Sequence, residues 1–507
     1  MKNELKIGSA LSILTIVVGS LIQIFYTPLY MKYLGTIDFG INSLVQSIMG
    51  YIGMLNLGLG NAMLRYTVRY RAEGKFEEEK SLNGMFLTIF SILMIISIFL
   101  GAYIYVNIPN FFSDKFTAEE LSKTKSVFLL MMLNVAISFP VGVFSTNIAS
   151  REKFLYQRGL SLVKTIVTPI VGAVLMLNGF GLIAVTISIV VSGLIVSMFD
   201  VIYARKLGMK ISFRNFDFKV LKEIFHYSFY IFLNIIIDRV YWGTDRVIIG
   251  KYIGVTAVGI YSIASIFNTL YMNFSTAISG VLFPKINRLI VEDKHEEISN
   301  LFIRVGRLQY ILLGLISSGF ILFGKEFIYL WLGEGYSEVY KIALWIMIPL
   351  TVPLIQNTGI AIMQAKNMHQ FRSVIYCIIA IGNVISSILL VKQYGAIGCA
   401  IATGISFMIG NIVIMNIYYY KRLNLDIPLF WKNILKMSIP IAITMGVGIL
   451  LNKHIININY INFLIKVIIY GGTYFILLFF LGLNKDEKKE ILKMIVKHNT
   501  EKNTIKD

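Results

Sequence analysis

Charge is scarce in this chain. Of its 507 residues only 15% are Asp, Glu, Lys or Arg, where a soluble domain carries roughly 25%. No long polar segment is present that could fold as a separate soluble domain. Cysteine is nearly missing. Cys377 and Cys399 both sit in apolar runs, where a thiol packs as a small hydrophobe rather than joining a disulfide or a metal pair. The histidines at 226, 295, 369, 454 and 498 are scattered and lack metal-ligand spacing. No GxxxxGK motif followed by Ser or Thr occurs, which argues against ATP hydrolysis by this chain. No cofactor is expected. The loops between apolar runs are short, the longest on the outer side being about 107–125, and they offer no nucleophile or acid/base set. An enzyme is therefore not expected.

What is present is hydrophobicity. Apolar residues make up 56% of the chain and the mean hydropathy is +0.71. The expected fold class is all-α integral membrane. A bilayer core needs about 20 apolar residues per helix. Runs of that kind lie near 9–31, 41–64, 84–106, 126–148, 160–177, 180–202, 224–244, 256–283, 307–324, 342–364, 373–391, 396–419, 437–452 and 462–482, about fourteen by that criterion. The first run lacks a clear small-residue cleavage site and reads as a retained helix. The net charge of +19 would point to nucleic acid in a soluble chain. Here it reads as Lys and Arg collecting in cytoplasmic loops, and no nucleic-acid partner is expected. With the N-terminus inside, most of these residues fall in the inner segments, among them 65–80, 151–158, 205–222, 285–307, 421–436 and the tail. That bias predicts cytoplasmic N- and C-termini in a multi-pass plasma-membrane protein.

The chain repeats itself. Tyr33-Leu34-Gly35 with Gly40, Ile41 and Ser43 returns as Tyr252-Ile253-Gly254 with Gly259, Ile260 and Ser262, an offset of 219 residues. A second echo, Tyr203 to Met209 against Tyr419 to Leu425, has an offset of 216. Two echoes in the same order predict two six-helix lobes in the same orientation, with substrate between them. The expected organisation is an N-terminal lobe over 1–204, a basic connector over 205–222, a second lobe over 223–422, two further helices over 423–484 and a solvated charged tail over 485–507.

Polar residues inside apolar runs mark candidate function. In the second run Asn42, Gln46, Gly50, Gly53, Asn56 and Gly60 form one face, and the shifted positions Tyr261, Ser265, Thr269, Met272, Ser275 and Ser279 are again mostly small or polar, with Asn268 beside them. Close packing uses Gly and Ser in this way. Gln46, Asn56 and Asn268 favour a polar cavity, because lipid-facing amides are costly. Ser12, Gly19, Gln23, Tyr26 and Tyr30 make a similar stripe in the first run. The stretch 238–260 sets Asp-Arg down twice, at Asp238-Arg239 and Asp245-Arg246, and a helix returns a seven-residue spacing to nearly the same face. Asn234, Asp238, Tyr241 and Asp245 form its charged stripe. Arg65, Arg69, Arg304 and Arg307 stand at helix ends, where they either anchor the helices or form a basic vestibule for an anionic headgroup.

The string 33–66 and the string 244–265 carry a family resemblance, through Leu34-Gly35, Asp38-Phe39-Gly40, Asp245-Arg246 and Ile249-Gly250. Over essentially its whole length the chain resembles the polysaccharide-export flippases, the Wzx type that moves O-antigen or capsule repeat units. They belong to the multidrug/oligosaccharidyl-lipid/polysaccharide exporter superfamily. The resemblance implies two lobes about a central cavity, alternating access, and a polyprenyl-diphosphate-linked oligosaccharide as cargo. The expected function is a flippase for surface polysaccharide biosynthesis, working among membrane lipids, with a coupling ion (sodium or proton) and a polysaccharide polymerase as further partners. Arg65, Arg239, Arg246, Arg307, Gln46, Asn56 and Asn268 are the expected substrate contacts, and Asp238 the expected ion-coupling group. Asp245 and Arg246 are expected near the outer rim, past the end of the seventh helix. Three other readings stay open: a lipid II flippase, a drug or cation extruder of the same fold, and a membrane-bound polysaccharide-modifying enzyme.

Overall fold

The computed structural model describes residues 2–214, 218–279, 283–292, 294–366, 368–484 and 487–489. Its regular structure is helical: α1 Lys2–Tyr33, α2 Gly35–Gly53, α3 Leu59–Ala72, α4 Phe76–Phe112, α5 Ala118–Ser150, α6 Phe154–Leu177, α7 Leu182–Lys206, α8 Phe218–Tyr252, α9 Val255–Ser279, α10 Phe283–Val291, α11 His295–Leu332, α12 Ser337–Ile355, α13 Asn357–Ala365, α14 His369–Tyr394, α15 Ala396–Phe407, α16 Met415–Leu423, α17 Ile427–His454 and α18 Tyr460–Leu477. Among the described residues, 12 helical spans are long and apolar enough to cross a membrane. This is an all-α integral membrane fold. The expected runs at 41–64 and 224–244 are not among the 12. The first is broken, because a 3₁₀ turn over Met54–Asn56 leads into Leu57 and Gly58, both with positive φ, before α3 begins. The second lies within one continuous helix, α8.

Helix ends follow local chemistry. Thr117 and Glu120 form a reciprocal capping box that starts α5. Asp426 accepts from the Leu429 amide to start α17, and Asn459 accepts from the Asn462 amide to start α18. Large apolar side chains such as Phe25 and Phe99, 75% and 72% exposed, point outward. Lipid is as apolar as these groups, so they need no protein cover.

By packing the chain forms two compact units, 1–267 with 373–406, and 268–372 with 407–507. In the first, Phe86, Phe90, Phe139, Phe144, Leu59 and Ile224 share a buried core. The segment after α7 runs along the start of α4: Ser212 N donates to Lys80 O at 3.0 Å, Asn83 Nδ2 to Lys210 O at 3.0 Å, and Ser81 Oγ to Arg214 O at 2.8 Å. A Cβ on Gly84 would lie 2.0 Å from Ser212 O, so only glycine permits this approach.

In the second unit α11 packs on α17 and α18, where Tyr474 OH donates to Ile311 O at 2.7 Å. A π-helical stretch, Met408–Ile414, interrupts the helix between α15 and α16. Asn416 Nδ2 donates to the carbonyls of Asn411 and Ile412 and so satisfies acceptors at the irregularity. Lys466 lies within α18. It is buried and paired with Glu326 of α11 at 2.7 Å. The tail departs from expectation at Glu487, which is buried against Arg307, while 490–507 lie outside the described residues.

Candidate functional site

The site is built on α8. A seven-residue step along this helix sets Arg239 and Arg246 on one face, and Asp245, next in sequence to Arg246, turns about 100° away. Arg239 lies over Gly50 of α2, where a Cβ would stand 3.2 Å from its Nη1. Arg246 donates through Nε to Ser262 Oγ of α9 at 3.1 Å and through Nη1 to Ser47 Oγ of α2 at 3.4 Å. The Tyr51 hydroxyl of α2 hydrogen-bonds Thr244 and donates to Arg239 O at 3.5 Å. Two guanidiniums thus lie against the small, hydroxylated face of α2, and among the described residues no carboxylate is bonded to Arg246. That leaves positive charge beside a polar surface, the condition for holding an anion.

Asp245 faces the other way and is 4% exposed. Its carboxylate accepts from Tyr261 OH of α9, from Ser387 Oγ of α14 at 3.1 Å and from Thr403 Oγ1 of α15 at 3.0 Å. Asn383 closes the group, its Nδ2 donating to Thr403 Oγ1 at 3.3 Å. These are hard oxygen donors gathered round one buried negative charge, a set suited to a proton or a small hard cation. Among the described residues no group of three or more His, Cys, Asp or Glu gathers that could hold a metal ion.

The other expected residues are dispersed. Asp238 is exposed on α8. Asp245 and Arg246 lie inside α8, not past its end, because the helix continues to Tyr252. Gln46 is exposed and donates to Asn42 Oδ1 at 3.3 Å. Asn56 is exposed in the 3₁₀ turn, and the break there ends the single face drawn from Asn42 to Gly60. Arg65 is exposed on α3. Asn268 is 1% exposed, and among the described residues neither amide atom has a hydrogen-bond partner. Arg307 is buried, and four of its five N–H groups are engaged: Nε and Nη2 bond Glu487 at 2.7 Å each, Nη1 bonds Asn433 Oδ1 at 3.0 Å, and Nη2 also reaches Gly482 O at 3.0 Å. In this arrangement it is a structural staple. The stripe on α1 packs against α6, with Gly172 under the Tyr26 hydroxyl. The Asn234 side chain lies outside the described residues.

Sequence reading missed Asn383, Ser387 and Thr403. A polar pair four residues apart on one face of an apolar run was the available signal, but nothing local says that α14 and α15 meet α8.

A family described as polysaccharide biosynthesis protein matches residues 33–341. The chain is 23% identical over 399 residues to a Shigella flexneri protein named "Putative O-antigen transporter", covering 76% of this chain and 90% of that one. It is 27% identical over 289 residues to the "Probable flippase AglR" of Haloferax volcanii, covering 54% of this chain and 58% of that one. Among solved structures it is similar to the lipid II flippase MurJ in an inward closed conformation, with TM-score 0.74, 19% identity, and coverage of 93% and 97% of the two chains. An inward-facing multidrug resistance MATE family transporter gives TM-score 0.61 at 14% identity, covering 82% of this chain and 96% of that one.

Proposed function

The chain belongs to the polysaccharide biosynthesis protein family, and from that premise we propose that it is a flippase translocating polyprenyl-diphosphate-linked oligosaccharides across the plasma membrane. The O-antigen transporter and glycan flippase names of its relatives support the cargo class. The observation that carries the reading within the molecule is the pair Arg239 and Arg246 set against Ser47, Gly50 and Tyr51. The guanidiniums supply charge for the diphosphate, and the hydroxyls supply donors and acceptors for sugar. Gln46 and Arg65 extend the contact surface. Asn56 and Asn268 serve as polar positions at the helix break and in the interior.

The lobes over 1–204 and 223–422 alternate access, and the termini lie in the cytoplasm. Coupling is assigned to Asp245 rather than Asp238. Asp245 is the buried carboxylate whose oxygen partners fit a sodium ion or proton, whereas Asp238 is exposed. A bound cation would neutralise the carboxylate and draw α8, α14 and α15 together through Ser387, Asn383 and Thr403. A polysaccharide polymerase is the natural downstream partner.

The test is reconstitution in liposomes with defined lipid-linked oligosaccharides, lipid II and a cationic dye as separate arms, scoring translocation and covalent change. Transport of the lipid-linked oligosaccharide with unchanged mass supports the reading. Product of altered mass, or dye transport alone, sinks it.

A further inference from the structure

A second cationic site lies away from the α2–α8 interval, where the α3–α4 turn, the end of α5 and the segment after α7 enclose a cavity of about 420 Å³. Arg71, Arg151, Lys80, Lys210, Glu79 and Asn83 line it. Two guanidiniums converge there on one carboxylate oxygen: Arg71 Nη1 stands 3.1 Å and Arg151 Nη2 3.9 Å from Glu79 Oε1. Glu79 and Arg151 are nearly buried, with side chains 8% and 13% exposed. One carboxylate balances one guanidinium, so among the described residues of the lining the second positive charge has no counter-charge. Leaving such a charge uncompensated is costly. Burial, and then the like charge of Arg71, push the Arg151 guanidinium down from its ordinary value.

Lys210 adds a third cation and is exposed. Lys80 adds a fourth, paired with Glu77, which is not part of the lining. The cationic groups are held in place. Arg151 Nε donates to Asn147 Oδ1 at 3.1 Å and its Nη1 donates to Leu207 O. Asn83 Nδ2 donates to Lys210 O at 3.0 Å, and among the described residues its buried Oδ1 has no partner. A ligand that fits offers anionic oxygens to the guanidiniums and a hydroxyl proton to Asn83.

We propose that this cavity binds a phosphate group bearing or neighbouring a hydroxyl, with Arg71 and Arg151 on the phosphate oxygens and Lys210 at the rim. Planar guanidiniums match phosphate oxygens with paired donors. The phosphate comes either from an anionic phospholipid headgroup or from solution.

The full-length protein separates these sources. In detergent, inorganic phosphate is titrated against thermal unfolding. In nanodiscs, retention of phosphatidylglycerol against phosphatidylcholine is read by native mass spectrometry. Stabilisation by phosphate identifies a soluble ligand, and selective retention of phosphatidylglycerol identifies a headgroup. Either effect should weaken about tenfold in R71Q and severalfold in K210Q, a surface change that leaves folding intact. K75Q, at an exposed lysine outside the lining, should leave it unchanged. The proposal is overturned if wild type and K210Q bind both probes equally, or if wild type binds neither. Cargo translocation, assayed separately, does not depend on the outcome.

Discussion

Gly40 and Gly259 pack reciprocally. A Cβ on Gly40 would stand 2.1 Å from the carbonyl oxygen of Val255, four residues before Gly259, and a Cβ on Gly259 would stand 2.4 Å from that of Thr36, four residues before Gly40. The two contacts exchange under the 219-residue offset of the repeat, so the duplicated motif meets its own copy across a local two-fold relation. Overpacking a tight contact costs about 1–3 kcal/mol, and here the obstacle is backbone, which yields least. G40A and G259A should each lower the thermal midpoint in detergent. Wild-type melting in both would refute the contact.

Asp245 and Asp238 separate cleanly in function. D245N should abolish the dependence of flipping on a sodium or proton gradient and slow gradient-driven uptake about tenfold or more. D238N should stay within about twofold, since an exposed carboxylate is a poor coupling group. Proteoliposome uptake with each gradient imposed separately distinguishes them. The reverse order would return the coupling role to Asp238.

Arg246 and Arg239 should be needed as guanidiniums. R246Q and R239Q are expected to reduce flipping about tenfold at normal expression, with R246K recovering part of it, because lysine restores charge without the paired donors. R65Q, at an exposed position in the middle of α3, should have a smaller effect. Wild-type rates in R239Q and R246Q would remove both from the cargo path.

The Arg307–Glu487 pair makes stability depend on pH. Burial alone would raise the Glu487 carboxyl. Its hydrogen bonds from Arg307 and from the Asn484 amide, with the charges of Arg307 and Arg304, hold it below the ordinary carboxylate value. A carboxyl lowered in the folded state contributes stability that is present above its unfolded pKa, roughly 4.3, and is lost as pH falls through the folded value. Removing one partner of a buried pair costs about 3–5 kcal/mol. E487Q should therefore melt lower than wild type at neutral pH, and the two should converge in acid. A gap unchanged by acid would place the effect elsewhere.

Lys466 and Glu326 are buried together, with side chains 3% and 10% exposed. E326M should be destabilising by about 3–5 kcal/mol because it strands the ammonium, whereas E326M/K466M should lie close to wild type, since well-packed apolar residues often replace a buried pair at little cost. Thermal unfolding of wild type, single and double variants forms the comparison. Equal loss in both would deny the pair its coupling.

Much of the molecule was legible in the chain itself. Low charge, long apolar runs and Lys/Arg bias dictate a multi-pass helical membrane protein, because a bilayer accepts only helices or closed barrels. The repeat located the glycines that meet, and the doubled Asp-Arg located α8.

Only tertiary structure decided the rest. Hydropathy reads Asp245-Arg246 as a loop because charge is costly in lipid, yet three hydroxyls from α9, α14 and α15 pay that cost inside the bundle. Two of those donors, Ser387 and Thr403, come from far along the chain, and no local period records which helices meet. Arg307 looked like cargo-facing charge until Glu487, in a tail expected to be solvated, proved to be its partner. A charged residue shows in sequence that it needs a partner. Which partner it has is fixed by packing.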